Sequence, residues 1–202
     1  MKQFITICLL MPSLWVTAQN TPLPASVADD IYHLICEEKL ARDVYQFAAE
    51  KYQMPVFAHK VVAEENHRTL LTGLLDTLPP ISYVYGEFPA GEWSQLFQTL
   101  KAEAGLSLDK ALSTGAWIEE KDIYDLEQGK LATTDTVCMH VYEVLIAASE
   151  QHLRSFLAQL QSRSISYTPK YLSPARMSEI QNQASGCDSP GKPEKGCCDH
   201  GN

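Results

Sequence analysis

Basic residues are scarce in this chain of 202 residues: 16 Lys and Arg stand against 25 Asp and Glu, giving a net charge of −9. No local run of Lys or Arg offsets the deficit, so a phosphate backbone would be repelled and no nucleic-acid partner is expected. Strand signals are missing as well, since no Asn-Gly or Asp-Gly turn separates alternating runs. Long apolar runs are also absent. The longest, Phe4 to Val16, falls short of the ~20 residues a bilayer span requires. What is present is ordinary globular composition, 45% hydrophobic and 20% charged. That balance excludes wholesale disorder, collagen-like repeats and a multi-span membrane protein, and the length suggests one domain.

Met1 to Ala18 reads as a secretory signal: Lys2 opens it, the apolar stretch follows, and Val16-Thr17-Ala18 closes it with small residues at its ends. Pro12 argues against a buried helix there. The expected location is therefore periplasmic or extracellular, with no membrane insertion after cleavage. Export leaves Cys36, Cys138, Cys187, Cys197 and Cys198, an odd set, so at least one thiol pairs between chains, binds metal or stays free. The expected organisation is a signal at 1–18, a linker at 19–26, a helical domain at 27–185 and a flexible tail at 186–202. In that Gly/Pro/Lys-rich tail Cys187, Cys197, Cys198 and His200 offer at best a poor chelate, because adjacent cysteines make poor tetrahedral ligands.

Helical periodicity fills the rest. Apolar residues recur at helical spacing from Val27 to Tyr52. A second helix is predicted from Pro55 to about Leu78, stopped by Pro79-Pro80. Tyr83, Tyr85 and Phe88 lie in a loop expected to fold back on the core. A short helix is predicted at Glu92 to Ala104. Longer ones follow at Ser107 to Gln128, broken near Gly115 and ended by Gly129, and at Thr133 to Ser162. A last short helix is expected at Ser173 to Ala184. The fold class is all-α: four long helices forming a bundle, with an extra short helix between the second and the third.

The stripes that should face inward are interrupted by acids and histidines. Buried carboxylates cost several kcal/mol unless paired or bound to metal. At ~100° per residue, Glu38 falls in the middle of the Ile31, Leu34, Ile35, Ala41, Tyr45 stripe. Glu37 falls to one side and reads as surface or boundary. Glu64 shares a face with Phe57, Val61 and Leu71, and His67 follows three residues later on the same face. Glu119 lies between Ala116, Ile123 and Leu126, with Glu120 as the alternative. His152 falls among Val141, Leu145, Ala148 and Phe156. Acids and histidines on facing helices suit iron, manganese or zinc.

Glu38 with Ala41 and Tyr45, and Glu64 with His67, resemble the first two helix motifs of ferritin-like proteins such as rubrerythrins. The strings EEKLARDVY (37–45), IEEKDIYDL (118–126), VYEVL (141–145) and HLRSF (152–156) resemble, more closely, a bacterial ferritin-like family, the domain of unknown function numbered 2202. The resemblance implies a ferritin-like four-helix bundle, and no established activity. One departure stands out: the fourth helix carries Ser149 where the di-iron pattern has a carboxylate three residues before His152. Asp122 is placed to fill the gap from another helix.

The candidate metal ligands are thus Glu38, Glu64, His67, Glu119 or Glu120, and His152. The expected cofactor is iron, mononuclear or di-iron, with manganese next. The expected function is metal binding in an exported protein, with ferrous oxidation or peroxide-linked oxidoreduction as the activity; Tyr45 would hydrogen-bond a ligand or relay an electron, or serve simply as core. Ser149 favours an alternative, a non-catalytic helical scaffold or binding module with a degenerate site. Metal ions are the expected partners, and a homodimer is an assembly the sequence permits.

Overall fold

The computed structural model describes residues 23–75, 77, 81–89 and 91–183. The expected signal segment, Pro79-Pro80 and the cysteine-containing tail lie outside the described residues. The described residues form six α-helices and no strand: α1 Ala25–Tyr52, α2 Pro55–Thr72, α3 Glu92–Leu106, α4 Leu108–Ala132, α5 Thr136–Ser162 and α6 Pro174–Asn182. None of them is long and apolar enough to cross a membrane. α1 packs along α2 and α4, α5 packs along α4 and touches α2, α3 lies against α1 and α4, and α6 leans on α5.

Local chemistry sets the boundaries. Pro55 occupies the first turn of α2, where its missing N–H costs nothing. The Ser107 hydroxyl accepts from Lys110 N–H at 3.2 Å and opens α4. Asp135 accepts from the N–H groups of Val137 and Cys138, both at 2.9 Å, so α5 begins at Thr136 rather than at the expected Thr133. α1 begins at Ala25, inside the expected linker. α2 ends at Thr72, well before the expected Leu78: Leu74 N–H bonds to Leu71 O and Leu75 N–H to Thr72 O, tightening the chain into three-residue turns past Gly73.

Two glycines expected to interrupt α4 are instead sites of close approach. α4 runs unbroken through Gly115 and continues past Gly129. A Cβ at Gly115 would meet the Phe156 ring at 2.5 Å, and one at Gly129 would meet the Tyr142 ring at 3.2 Å. Each glycine lets an α5 aromatic ring lie on the α4 backbone, fixing the separation of the two helices.

The loop before α3 is held by a buried ion pair absent from the sequence reading. Lys39 Nζ donates to Asp43 Oδ2 at 2.7 Å and to Val84 O at 3.0 Å, and Gly86 N–H donates to the same carboxylate at 2.9 Å. Phe88 packs between the Lys39 ammonium and the Phe97 ring, as expected of a loop aromatic folded onto the core. Tyr83 does not follow: it is largely exposed and lies flat under the Arg68 guanidinium.

The core is in two parts. One apolar zone collects Ile31, Leu34 and Ile35 with Leu71, Leu126, Tyr142 and Leu145. The other collects Ala41, Val44 and Tyr45 with Phe57, Leu112, Ala116 and Phe156. Between them in sequence, α1, α2, α4 and α5 each carry buried polar residues, Glu38, Glu64 with His67, Glu119 with Asp122, and Ser149 followed by the nearly buried His152.

Candidate metal centre

Apolar residues on either side of each acid decide its position. Glu38 is flanked by Ile35 and Ala41, so burying those neighbours carries the carboxylate inward with them. The same holds for Glu64 and His67 between Phe57 and Leu71, for Glu119 between Ala116 and Ile123, and for His152 between Leu145 and Phe156.

The side chains converge. His67 Nδ1 lies 2.8 Å from Glu64 Oε2 and 3.4 Å from Glu38 Oε2. His152 Nδ1 lies 3.1 Å from Glu64 Oε1 and 3.4 Å from Glu119 Oε2. The two imidazoles stack at 5.4 Å between centroids. Close as they are, neither Nδ1 is aligned for a hydrogen bond: His67 Nδ1, His152 Nδ1, Glu64 Oε1, Glu38 Oε1 and Asp122 Oδ1 are buried without a hydrogen-bond partner among the described residues. Two triads result, Glu38–Glu64–His67 and Glu64–Glu119–His152, each with donor atoms within 4.8 Å of one another. Glu64 belongs to both.

Two further groups border the triads. Tyr45 OH donates to Glu119 Oε1 at 2.6 Å, leaving Oε2 turned toward His152. Ser149 Oγ donates to Asp122 Oδ2 at 2.6 Å. The serine in place of the expected carboxylate therefore holds a carboxylate supplied by α4.

Crowding shapes the proton affinities. Burial, then the Asp122 charge, pushes the Glu38 carboxyl well above its ordinary range. Burial also lifts Asp122, to about 7, against the Ser149 bond that favours its charged form. Burial acts on Glu64 in the same direction, but the close His152 and His67 imidazoles outweigh it and hold Glu64 low. For the histidines burial acts downward, yet Glu38 and Glu64 raise His67 to about 11, and Glu119 and Glu64 raise His152 to about 9. The cluster holds its protons in place of a cation.

Of the residues singled out from the sequence, Glu38, Glu64, His67, Glu119 and His152 come together and Glu120 does not. Glu120 points away on the neighbouring face of α4, where Oε1 accepts from the N–H groups of Lys170, Tyr171 and Leu172 at 2.6–2.8 Å. Its Oε2 accepts from Tyr167 OH at 2.6 Å. Glu120 ties the segment before α6 to the helices. Glu37 also departs from expectation: it is buried, not superficial, and takes a 2.6 Å ion pair from Lys121. Lys60 passed unremarked in the sequence. It is buried one turn before Glu64, with Nζ donating to Ser155 Oγ at 2.7 Å over the Phe156 ring; its four-residue spacing from Glu64 was the available signal. Cys36 and Cys138 are buried small core residues whose thiols are free among the described residues.

The comparisons with known proteins agree with one another. An uncharacterised protein of Methanocaldococcus jannaschii is 31% identical over 163 residues, covering 79% of this chain and 88% of the relative. A crystal structure of that hypothetical protein superposes with a TM-score of 0.79 at 29% identity, covering 83% of this chain and 98% of the other. Residues 28–184 match the family described as "Uncharacterized protein domain (DUF2202)", and the chain belongs to that family.

Proposed function

We propose that the chain is an exported ferritin-like protein with a four-helix bundle, and that its buried carboxylate–imidazole layer holds iron, with manganese as the next candidate. The observation that carries this reading is the pair of triads sharing Glu64, in which Glu38 Oε1, Glu64 Oε1, His67 Nδ1 and His152 Nδ1 are buried without hydrogen-bond partners among the described residues. Four carboxylates and two imidazoles from facing helices form a donor set suited to iron or manganese. Glu38 and His67 would hold one ion and Glu119 and His152 the other, with Glu64 common to both triads and the buried Asp122 nearby. That arrangement favours a dinuclear site over a mononuclear one. Bound iron would supply one-electron chemistry toward O₂ or peroxide, and ferrous oxidation is the activity we assign.

The chain's own residues have separate tasks. Tyr45 orients Glu119 through its hydroxyl. Ser149 orients Asp122. Glu38 and Asp122, whose carboxyls burial pushes above their ordinary range, would give up protons as cations bind, and the apolar zones on either side limit water. Export rests on the pattern of residues 1–18.

The test is metal analysis of protein purified without chelators, followed by aerobic Fe²⁺ oxidation. About two ions per chain in the central layer, lost in Glu64→Gln together with the oxidation, is the expected result. Metal-free protein with the same melting temperature in chelator, Fe²⁺ and Mn²⁺ would return the chain to a scaffold role.

A further inference from the structure

A second cluster of donors lies on the other side of α1. His33, Glu37 and Asp125 bring one donor atom each within 4.8 Å of one another. His33 and Asp125 also line a cleft of about 400 Å³ between α1 and α4, together with Asp29 and Asp30. Three carboxylates around one imidazole make the cleft attractive to cations.

Two observations go beyond the cluster itself. Glu37 is only 3% exposed, and its Oε2 is buried with no hydrogen-bond partner among the described residues. A buried, half-satisfied carboxylate is costly unless a cation completes it. The second observation is a cation already present: Lys121 Nζ bridges Glu37 Oε1, at 2.6 Å, and Asp125 Oδ2. Lys121 is partly exposed, so its flexible stem can carry the ammonium out to solvent. His33 is held in place by its ring against Trp93 of α3, at 4.7 Å between centroids, and its Nε2 lies 3.9 Å from Asp125.

We propose that His33, Glu37 and Asp125 form a second divalent-cation site, distinct from the central layer, in which Lys121 acts as a built-in competitor for the metal. Glu37 lies next to Glu38 and Asp125 lies three residues beyond Asp122, so the site sits about one helical turn, ~5 Å, along α4 from the central carboxylates. The donor set of one imidazole and two carboxylates, with Asp29 and Asp30 at the mouth, suits Mn²⁺, Fe²⁺ or Zn²⁺. The proposal does not depend on the central layer holding metal.

Mn²⁺ is the appropriate probe, because the thiols of the full-length chain compete poorly for it. Bound ions are counted from the loss of the free Mn²⁺ paramagnetic resonance signal, in wild type, His33→Ala, Asp125→Asn, Lys121→Met and Glu64→Gln. His33→Ala and Asp125→Asn should each lose one equivalent, and Glu64→Gln should retain that equivalent whatever happens at the centre. Lys121→Met should tighten it at least ~5-fold, the lower bound for removing a like charge about 4 Å away. His33 is half-exposed, so its substitution should leave the helical circular dichroism unchanged. Equal counts in wild type, His33→Ala and Asp125→Asn would overturn the proposal. So would weaker binding in Lys121→Met, which would make Lys121 a structural partner and not a competitor.

Discussion

Ser149 on α5 donates its hydroxyl to Asp122 on α4, at 2.6 Å, and leaves Asp122 Oδ1 facing the central layer without a partner. A carboxylate that the fourth long helix lacks is thereby supplied by the third. Asp122→Asn can keep the bond from Ser149 while losing the charge. Its metal-free form should melt no lower than wild type at pH 8, and its gain in melting temperature from Mn²⁺ should fall by about half. An undiminished gain would remove Asp122 from the metal-binding set. Ser149→Ala leaves a buried carboxylate without its donor and should cost about 1–3 kcal/mol by chemical denaturation.

The pH dependence follows from the protons the cluster holds. Asp122 has its affinity raised from 3.8 to about 7 and His152 from 6.5 to about 9. In both cases the folded form binds its proton more tightly than the unfolded chain does, so stability falls as pH rises. The Asp122 contribution is lost between pH 3.8 and about 7, and that of His152 between 6.5 and about 9. Metal-free protein should therefore melt at lower temperature at pH 9 than at pH 6. Cation binding gains as the same protons leave, so the separation between melting curves in Mn²⁺ and in chelator should widen over that interval. A constant separation from pH 6 to 9 would contradict this account.

Glu120 offers a control in the same helix. Its carboxylate accepts three successive backbone N–H groups and the Tyr167 hydroxyl. Glu120→Ala strands those donors and should destabilise the protein by about 3 kcal/mol, within the range for breaking a buried network. Tryptic cleavage after the exposed Lys170 should accelerate, while the melting-temperature response to Mn²⁺ should persist. If that response disappears, Glu120 and the central layer are coupled in a way their separation does not suggest.

Gly115→Ala tests the close approach of α4 and α5. The added methyl would sit 2.5 Å from the Phe156 ring, which cannot yield without disturbing Tyr45 and Phe57 on its other contacts. Overpacking of this kind costs about 1–3 kcal/mol. Phe156 is one turn from His152, so the ferrous oxidation proposed for the central layer should drop as well. A fully active and equally stable variant would mean the helices separate freely at this level.

Much of the central layer was legible because its residues stand inside apolar stripes: a Glu38 between Ile35 and Ala41 has nowhere to go but inward. Glu37 was misread for the complementary reason. A single-helix wheel places it off the stripe, but α4 closes over that side and Lys121 neutralises it. By angle Glu120 stayed open as the alternative to Glu119, and the returning segment at 167–172, remote in sequence, draws it away. Gly115 and Gly129 looked like helix breakers because propensity penalises glycine. The ring of an α5 aromatic against each backbone reverses that sign.

The division of the apolar core has a consequence for how the molecule opens. Proteins open in roughly contiguous cooperative units. Here two hydrophobic zones meet across a stratum of charge, held by the Tyr45–Glu119 and Ser149–Asp122 bonds and by the imidazole–carboxylate pairs, which bound cations would tie more firmly. Amides around Ile31 and Tyr142 should exchange with deuterium independently of those around Val44 and Phe156 in chelator, and in concert once ions bind. The metals would then act as mortar between two courses, making one cooperative unit of a protein that otherwise breathes in halves.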